Sequence, residues 1–414
     1  MKQTVLAFFI TSTFFCQAQL SPAITSWIQN PDTTLAANKG YGNIPSNCIK
    51  VQYSTTDVYV SCFCIPGYSI GPWTGNPNVA ENQNFVYKLT LSPQKNTGTP
   101  TTIGLGHIGV LTNGVSIFNA NDAQYVNTIW SRNGYYFEFP SFDNCIGHPQ
   151  QQGEYHHHVS PKCLYDQTDS THHSPVIGYM FDGFPVYGAY GYADTSSTGG
   201  SIKRMNSSYR LRADTTRTTN PWGGVASPAG PAVSSTYPMG CLLWDWEYVP
   251  GLGDLDSANG RWCRTPEYPN GTYAYFMTLD STLAPAYPYT SAGAYYGVVQ
   301  TGNTGINSGH ATISVATTVY VDSTTTGVST VGPQVAFKVV PNPTSAFVYV
   351  YMDNNSTNNA TGKLYDVKGN LLQDLGYMQP TIAYTIDMTR YPVGVYMLHV
   401  SNGQQDVVKK IVKE

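Results

Sequence analysis

Charge is scarce in this chain. Only 11% of its 414 residues are Asp, Glu, Lys or Arg, and the formal balance is −4. No basic patch accompanies that balance, so nucleic acid and anionic membrane surfaces are excluded as partners. Long apolar runs are also lacking: after residue 18 no stretch is long enough to cross a bilayer. Helical periodicity is nearly absent, which argues against a helical bundle. No phosphate loop, His-Glu-x-x-His helix or Gly-x-Ser-x-Gly elbow occurs, so nothing in the sequence supports nucleophilic catalysis.

Aromatics are plentiful instead, at 13% with 32 tyrosines, alongside abundant Gly, Thr, Ser, Asn and Pro. Apolar positions are mostly β-branched or aromatic, the composition of an all-β, loop-rich, extracellular protein. Residues 1–18 read as a signal peptide: Lys2, an apolar core from Val5 to Phe15, and a small-x-small site at Cys16-Gln17-Ala18. Seven cysteines follow, and in an exported protein they are expected to form disulfides. Cys145 with Cys163 and Cys241 with Cys263 are the expected pairs, then Cys48 with Cys62 or Cys64, with one thiol left over.

The chain is organised around Asp143 to Cys163, which carries His148, His156, His157 and His158, four of the nine histidines. Pro149 and Gly153 read as a loop entering a strand. Alternate strand residues share a face about 7 Å apart. His156 and His158 are therefore expected on one face, Tyr155 and His157 on the other. Two imidazoles so placed suit one first-row metal ion, which takes nitrogen at about 2 Å. His148 returns across the loop as a third ligand, and His172 or His173 is a further candidate. His107 reads as a core or surface residue. Asp143, Tyr155 and Asp182 are candidates to orient the imidazoles from behind, although Asp182 also reads as a turn residue.

Gly147-His148-Pro149, Tyr155-His156-His157-His158, Cys163-Leu164 and Asp182-Gly183-Phe184-Pro185-Val186-Tyr187-Gly188 resemble the YHYH-domain family over roughly residues 40–300. His157 stands where that family has its second Tyr, while both family histidines are kept. The resemblance implies a family but no reaction.

An internal repeat is also legible. Gly109 to Ala120 resembles Gly178 to Ala189, each with an Asn-Gly or Asp-Gly hairpin turn needing positive φ. Asp143-x-x-x-Gly147-His148 parallels Asp256-x-x-x-Gly260-Arg261, and Tyr155 to His158 parallels Tyr273 to Phe276. Two copies of one β unit are expected, about 104–164 and 174–290, packed as a barrel- or sandwich-like domain spanning 19–321. Only the first copy has histidines at the motif positions.

Residues 322–334 read as a linker. Beyond it, Val340-Pro341-Asn342-Pro343, the Tyr365-Asp366-Val367-Lys368-Gly369 turn, Gly394-Val395-Tyr396 and the Lys409-Lys410 tail resemble the type A C-terminal sorting domain of type IX secretion in Bacteroidota. That resemblance implies a small Ig-like β-sandwich at 335–414, read by the type IX machinery at the outer membrane. The expected protein is secreted or surface-bound and binds copper or zinc through its histidines. The alternatives are a metal-free module that holds a glycan, surface polysaccharide or protein on exposed Trp73, Trp244 and Trp246, and a metal-dependent enzyme of unknown reaction.

Overall fold

The computed structural model describes residues 20–30, 32–305, 307–321, 337–352, 360–378, 383–401 and 406–414. The expected signal peptide and linker lie outside the described residues. The chain divides into two compact units, Met1–Thr325 and Thr326–Glu414. Both are built mainly from strands.

In the first unit, a one-turn helix α1 (Pro22–Thr25) precedes strands β1 (Cys48–Tyr53), β2 (Asp57–Cys62) and β3 (Phe85–Thr90). Next come β4 (His107–Leu111), β5 (Ser116–Phe118), β6 (Asn121–Val126), β7 (Trp130–Asn133), helix α2 (Gly134–Phe137), β8 (His148–Pro149) and β9 (Tyr155–His157). The later half contains β10 (Val176–Met180), β11 (Pro185–Tyr187), β12 (Tyr190–Tyr192), β13 (Ile202–Arg204), β14 (Tyr209–Leu211), β15 (Trp246–Tyr248), β16 (Gly260–Cys263), β17 (Thr272–Phe276) and β18 (Thr318–Tyr320).

Two sheets dominate: β18-β1-β2-β3, and an eight-stranded sheet ordered β16-β17-β11-β10-β4-β5-β9-β8. One hydrophobic cluster joins them, with Val51, Val58 and Leu89 from the first and Val110, Ile117 and Tyr179 from the second. The arrangement is therefore sandwich-like. The barrel option is set aside, because β16 and β8 remain separate edges. β3 alternates buried and half-buried residues, as a strand covered on one face does. β4, β10 and β17 are buried at every position, as strands covered on both faces are.

The large sheet reads the same from either edge. Hairpins β4–β5 and β10–β11 meet at the centre through antiparallel β4 and β10. Outside them β9 runs parallel to β5, and β17 parallel to β11. β8 and β16 close the edges antiparallel. Details repeat as well: Asp143 accepts from Tyr155 Oη at 3.0 Å and from Gly147 N at 3.2 Å, and Asp256 accepts from Tyr273 Oη at 2.8 Å and from Gly260 N at 3.2 Å. Gly114 and Gly183 turn the two central hairpins at φ 79° and 86°. A Cβ on Gly114 would stand 2.5 Å from that of Cys62, so the hairpin tip is tied to the smaller sheet.

The tyrosines explain how so uncharged a chain builds a specific core. Tyr155, Tyr179, Tyr187, Tyr273 and Tyr275 are fully buried. Each rings the core with apolar area and still finds a partner for its hydroxyl: Asp143, Ser26, Thr265, Asp256 and Asp182 respectively. Asp182 also accepts from Gly297 N and Phe184 N. Burial nonetheless raises its pKa to about 6 from 3.8. The neutral form is thus favoured in the fold. Its stabilising contribution is complete below about pH 4 and is lost as pH rises through 6, up to about 3 kcal/mol in all. The melting-temperature gap between the native protein and Asp182→Asn is expected to be larger at pH 4 than at pH 7. A gap independent of pH would refute this.

Cys145 and Cys163 form the expected disulfide. Cys241 and Cys263 do not pair: Cys241 packs with Trp130 and Leu242, whereas Cys263 sits in the main core on β16. Cys48 and Cys62 face each other across β1 and β2 as thiols, and Cys64 is also free and buried.

The second unit contains β19 (Phe337–Val340), β20 (Phe347–Met352), β21 (Ala360–Asp366), β22 (Leu371–Met378), β23 (Ala383–Asp387), β24 (Gly394–Ser401) and β25 (Asp406–Lys413). They form a three-stranded sheet β19-β20-β23 and a four-stranded sheet β22-β21-β24-β25. Val348, Val350, Leu364, Ile386, Leu398 and Ile411 fill the core of this small sandwich.

Candidate metal centre

The sheet edge brings the histidines together. His148 on β8 pairs directly with His156 on β9, so antiparallel register places their rings side by side. His158 follows two residues on and returns to the same face. His148 Nε2 lies 3.0 Å from His156 Nε2, which lies 3.1 Å from His158 Nε2. All three ligand atoms fall within 4.8 Å of one another, and all three residues are buried. Tetrahedral ligands at the usual zinc–nitrogen distance stand about 3.3 Å apart, close to the two shorter spacings.

The far side of each ring determines its tautomer. His156 Nδ1 donates to Glu154 O at 3.1 Å and His158 Nδ1 to Asn119 O at 2.5 Å. Carbonyls only accept, so both Nδ1 atoms carry the proton. Ser141 Oγ donates to Glu138 O and therefore accepts from His148 Nδ1, at 2.7 Å. In the neutral rings, three bare Nε2 atoms then converge. Burial, followed by the neighbouring imidazoles, pushes His148 down to about 2 and His156 well below its ordinary value. Phe118 stacks on His156 at 3.8 Å and Phe142 meets His148 edge-on, which holds both rings in place.

Glu138, which the sequence reading missed, brings a carboxylate up to the three rings. It ends α2, whose first turn is capped by Asn133. Glu138 Oε2 lies 3.0 Å from His158 Nε2 and 3.8 Å from His148 Nε2. That approach is short enough for an ion pair, but it lacks hydrogen-bond direction, and the buried oxygen has no donor. A Cβ on Gly134 would stand 2.9 Å from this oxygen and 3.2 Å from His158, so glycine leaves the room that both groups occupy. The available signal was a lone carboxylate in the aromatic run Tyr135 to Phe139, just before the Asp143 loop.

The other expected contributors lie elsewhere. His172 is exposed and bonds Asp169. His173 packs on Tyr187, Tyr192 and Phe276, in the second half of the sheet. Neither belongs to the cluster. Asp143 orients no ligand imidazole. It accepts from Tyr155, Trp73 Nε1 and Gly71 N, and with the disulfide it shapes the loop from behind. Tyr155 faces the core, as alternation requires, and His157 on that face bonds Ile146 O and Tyr68. Asp182 is a turn residue of the second hairpin, occupied by Tyr275, Gly297 and Phe184. Of the tryptophans expected at the surface, Trp73 is buried and Trp244 and Trp246 are half-buried; the exposed ones are Trp222 and Trp262.

The three histidines and Glu138 open onto a cleft of about 840 Å³, whose walls carry many amide side chains and no Lys or Arg. The whole is a β-sandwich domain with a three-histidine cluster at one sheet edge, followed by a second, smaller sandwich. Residues 86–288 match the YHYH protein family, and residues 338–414 match the secretion system C-terminal sorting domain. The chain therefore carries a YHYH domain and a type IX sorting domain, and is exported by type IX secretion to the cell surface or the extracellular space. Among the described residues no helix is long and apolar enough to cross a membrane. No curated protein matches the chain.

Proposed function

We propose that this exported protein binds one transition-metal ion, copper or zinc, through His148, His156 and His158, with Glu138 as a fourth donor facing the cleft. The observation that carries the reading is the convergence of three ring nitrogens whose protons are held on the opposite side of each ring. A buried acceptor without a donor costs about 1–3 kcal/mol, and a carboxylate more. Four such atoms in one spot are relieved together by a cation. Imidazole and carboxylate donors suit zinc and copper(II), and intrinsic affinity favours copper. The two β segments 104–164 and 174–290 read as copies of one unit, of which only the first kept ligands: Arg261, Ala274 and Phe276 stand at the positions of His148, His156 and His158.

The test is metal analysis of chelator-stripped, reloaded protein. One tightly held ion per chain supports the reading, and none overturns it in favour of a proton shared among the rings. Glu138→Gln keeps the stoichiometry but weakens the ion about tenfold to a hundredfold, as does Ser141→Ala, which frees the His148 ring. Titration against a competing chelator measures both.

A further inference from the structure

The cleft beside the histidine cluster has a wall that the cluster does not use. Its carboxylates are already matched: Asp122 pairs with Arg132 at 2.7 Å, Glu154 with His107 at 2.8 Å, and Glu138 meets the rings. No Lys or Arg lines the cleft, so an anion finds nothing to pair with. Amides stand there instead. Asn78, Gln151, Gln152 and Asn307 line the wall, and among the described residues their side-chain amides have no hydrogen-bond partner. An amide donates and accepts at once, which matches the neighbouring hydroxyls of a sugar.

These amides sit on loops held from behind. Asn76 Nδ2 donates to Pro149 O at 2.9 Å, which ties the loop of Asn78 to β8. Gln83 Nε2 donates to Gln152 O at 3.0 Å, and Gln150 Nε2 to Glu154 Oε2 at 2.7 Å. Three non-glycine residues on the same wall adopt left-handed backbone: Ala123 at φ 65°, Gln152 at 79° and Asn307 at 58°. Such conformations are uncommon for L-residues and gather at ligand sites. Aromatic rings flank the wall. Tyr136 is 42% and Phe139 57% exposed, and Phe139 lies between Glu138 and Pro140, which both line the cleft. Tyr135 braces Phe139 edge-on at 5.7 Å. A ring face is apolar and electron-rich, which suits the C–H face of a pyranose. A peptide fits less well. The strand edge at the cleft is β8, two residues long with one proline, so it offers no row of backbone groups to extend. Among the described residues Leu105 is the one exposed large apolar side chain of the wall, so sockets for apolar side chains are lacking.

We propose that this cleft binds a neutral oligosaccharide. Its hydroxyls bond the amides of Asn78, Gln151, Gln152 and Asn307, and sugar faces lie on Tyr136 and Phe139 at the rim. A cleft of this volume takes a ligand of a few rings. The wall selects against acidic glycans, because no Lys or Arg is there to hold a carboxylate or sulfate. The histidines share the floor of the cleft, but none of these contacts needs the ion.

The experiment uses the full exported chain, stripped with EDTA so that its outcome is separate from the metal reading. Isothermal titration calorimetry measures binding of cello-, xylo-, manno-, malto- and chitohexaose, with hexagalacturonate and an uncharged Ser/Gly hexapeptide as comparisons. At least one neutral glycan is expected to bind with a Kd of about 10 μM to 1 mM, and neither comparison probe. Gln151→Ala and Asn307→Gly, which keeps the left-handed backbone, are exposed changes that leave the melting temperature in place. Each is expected to weaken the glycan about threefold to tenfold. Phe139→Ala weakens it further. Folded protein that binds no neutral glycan of the panel at millimolar concentration overturns the proposal. So does equal binding of hexagalacturonate or the peptide, or a glycan affinity unchanged in the Gln151→Ala, Asn307→Gly double variant.

Discussion

His156→Ala leaves the exported protein without stoichiometric metal. His156 is the middle ligand: its Nε2 is the one within about 3 Å of both other rings. Structural zinc sites are worth about 10–16 kcal/mol over four donors, so one donor accounts for roughly 3 kcal/mol, a weakening of about 100-fold or more. Removal of the central donor leaves His148 and His158, and the loop that carries His148 cannot readily move to offer a replacement. That loop is pinned by the Cys145–Cys163 disulfide and by Asp143. The control is His157→Ala, on the opposite strand face, which is expected to lower the melting temperature while one ion per chain is retained. Inductively coupled plasma mass spectrometry of the reloaded proteins decides: equal metal in the native protein and His156→Ala would sink the three-histidine site.

The second large effect arises in the insertion between the two halves of the later β segment. Arg217 and Asp245 are both fully buried and paired twice, at 2.7 and 2.8 Å. Asp245 also holds Gly240 N and Leu242 N, while the remaining Arg217 donors reach the carbonyls of Pro231, Tyr237 and Pro238. Asp245→Ala strands a buried guanidinium, a loss of about 3–5 kcal/mol. Carbonyl partners remain for part of that guanidinium, so the lower end applies, a fall in melting temperature of roughly 6–12 °C. Replacement of both partners by apolar residues of similar volume recovers most of it. The effect reaches the metal: Cys241 O accepts from Asn133 N, and Asn133 caps the turn that ends at Glu138. Metal affinity in Asp245→Ala is therefore expected to fall to the level of Glu138→Gln and no further. A drop to that of His156→Ala would show that the insertion supports the histidines themselves.

Much of the site was legible because it lies within eleven residues of one strand and its loop. Two-residue periodicity alone separates His156 and His158 from Tyr155 and His157. His148 enters by register, which the Asp143 and Gly147 turn dictates. Glu138 was missed because a one-turn helix delivers it, and so short an element has no periodicity to read. His172 and His173 follow the histidine loop closely in sequence but lie apart from it in space, one bonded to Asp169 and the other packed on Tyr187. Cys241 and Cys263 follow each other among the cysteines along the chain, yet each packs in a different hydrophobic cluster, which no local pattern shows.

From composition and local pattern alone, this chain was already bound to be β-rich, exported and built around a histidine strand, because strand alternation, turn chemistry and sorting signals act over a few residues. Only tertiary structure decided which groups meet. Glu138 joins the rings across a turn, and Ser308 reaches His107 from 201 residues away. Such contacts depend on sheet order and burial, which no local window of sequence encodes.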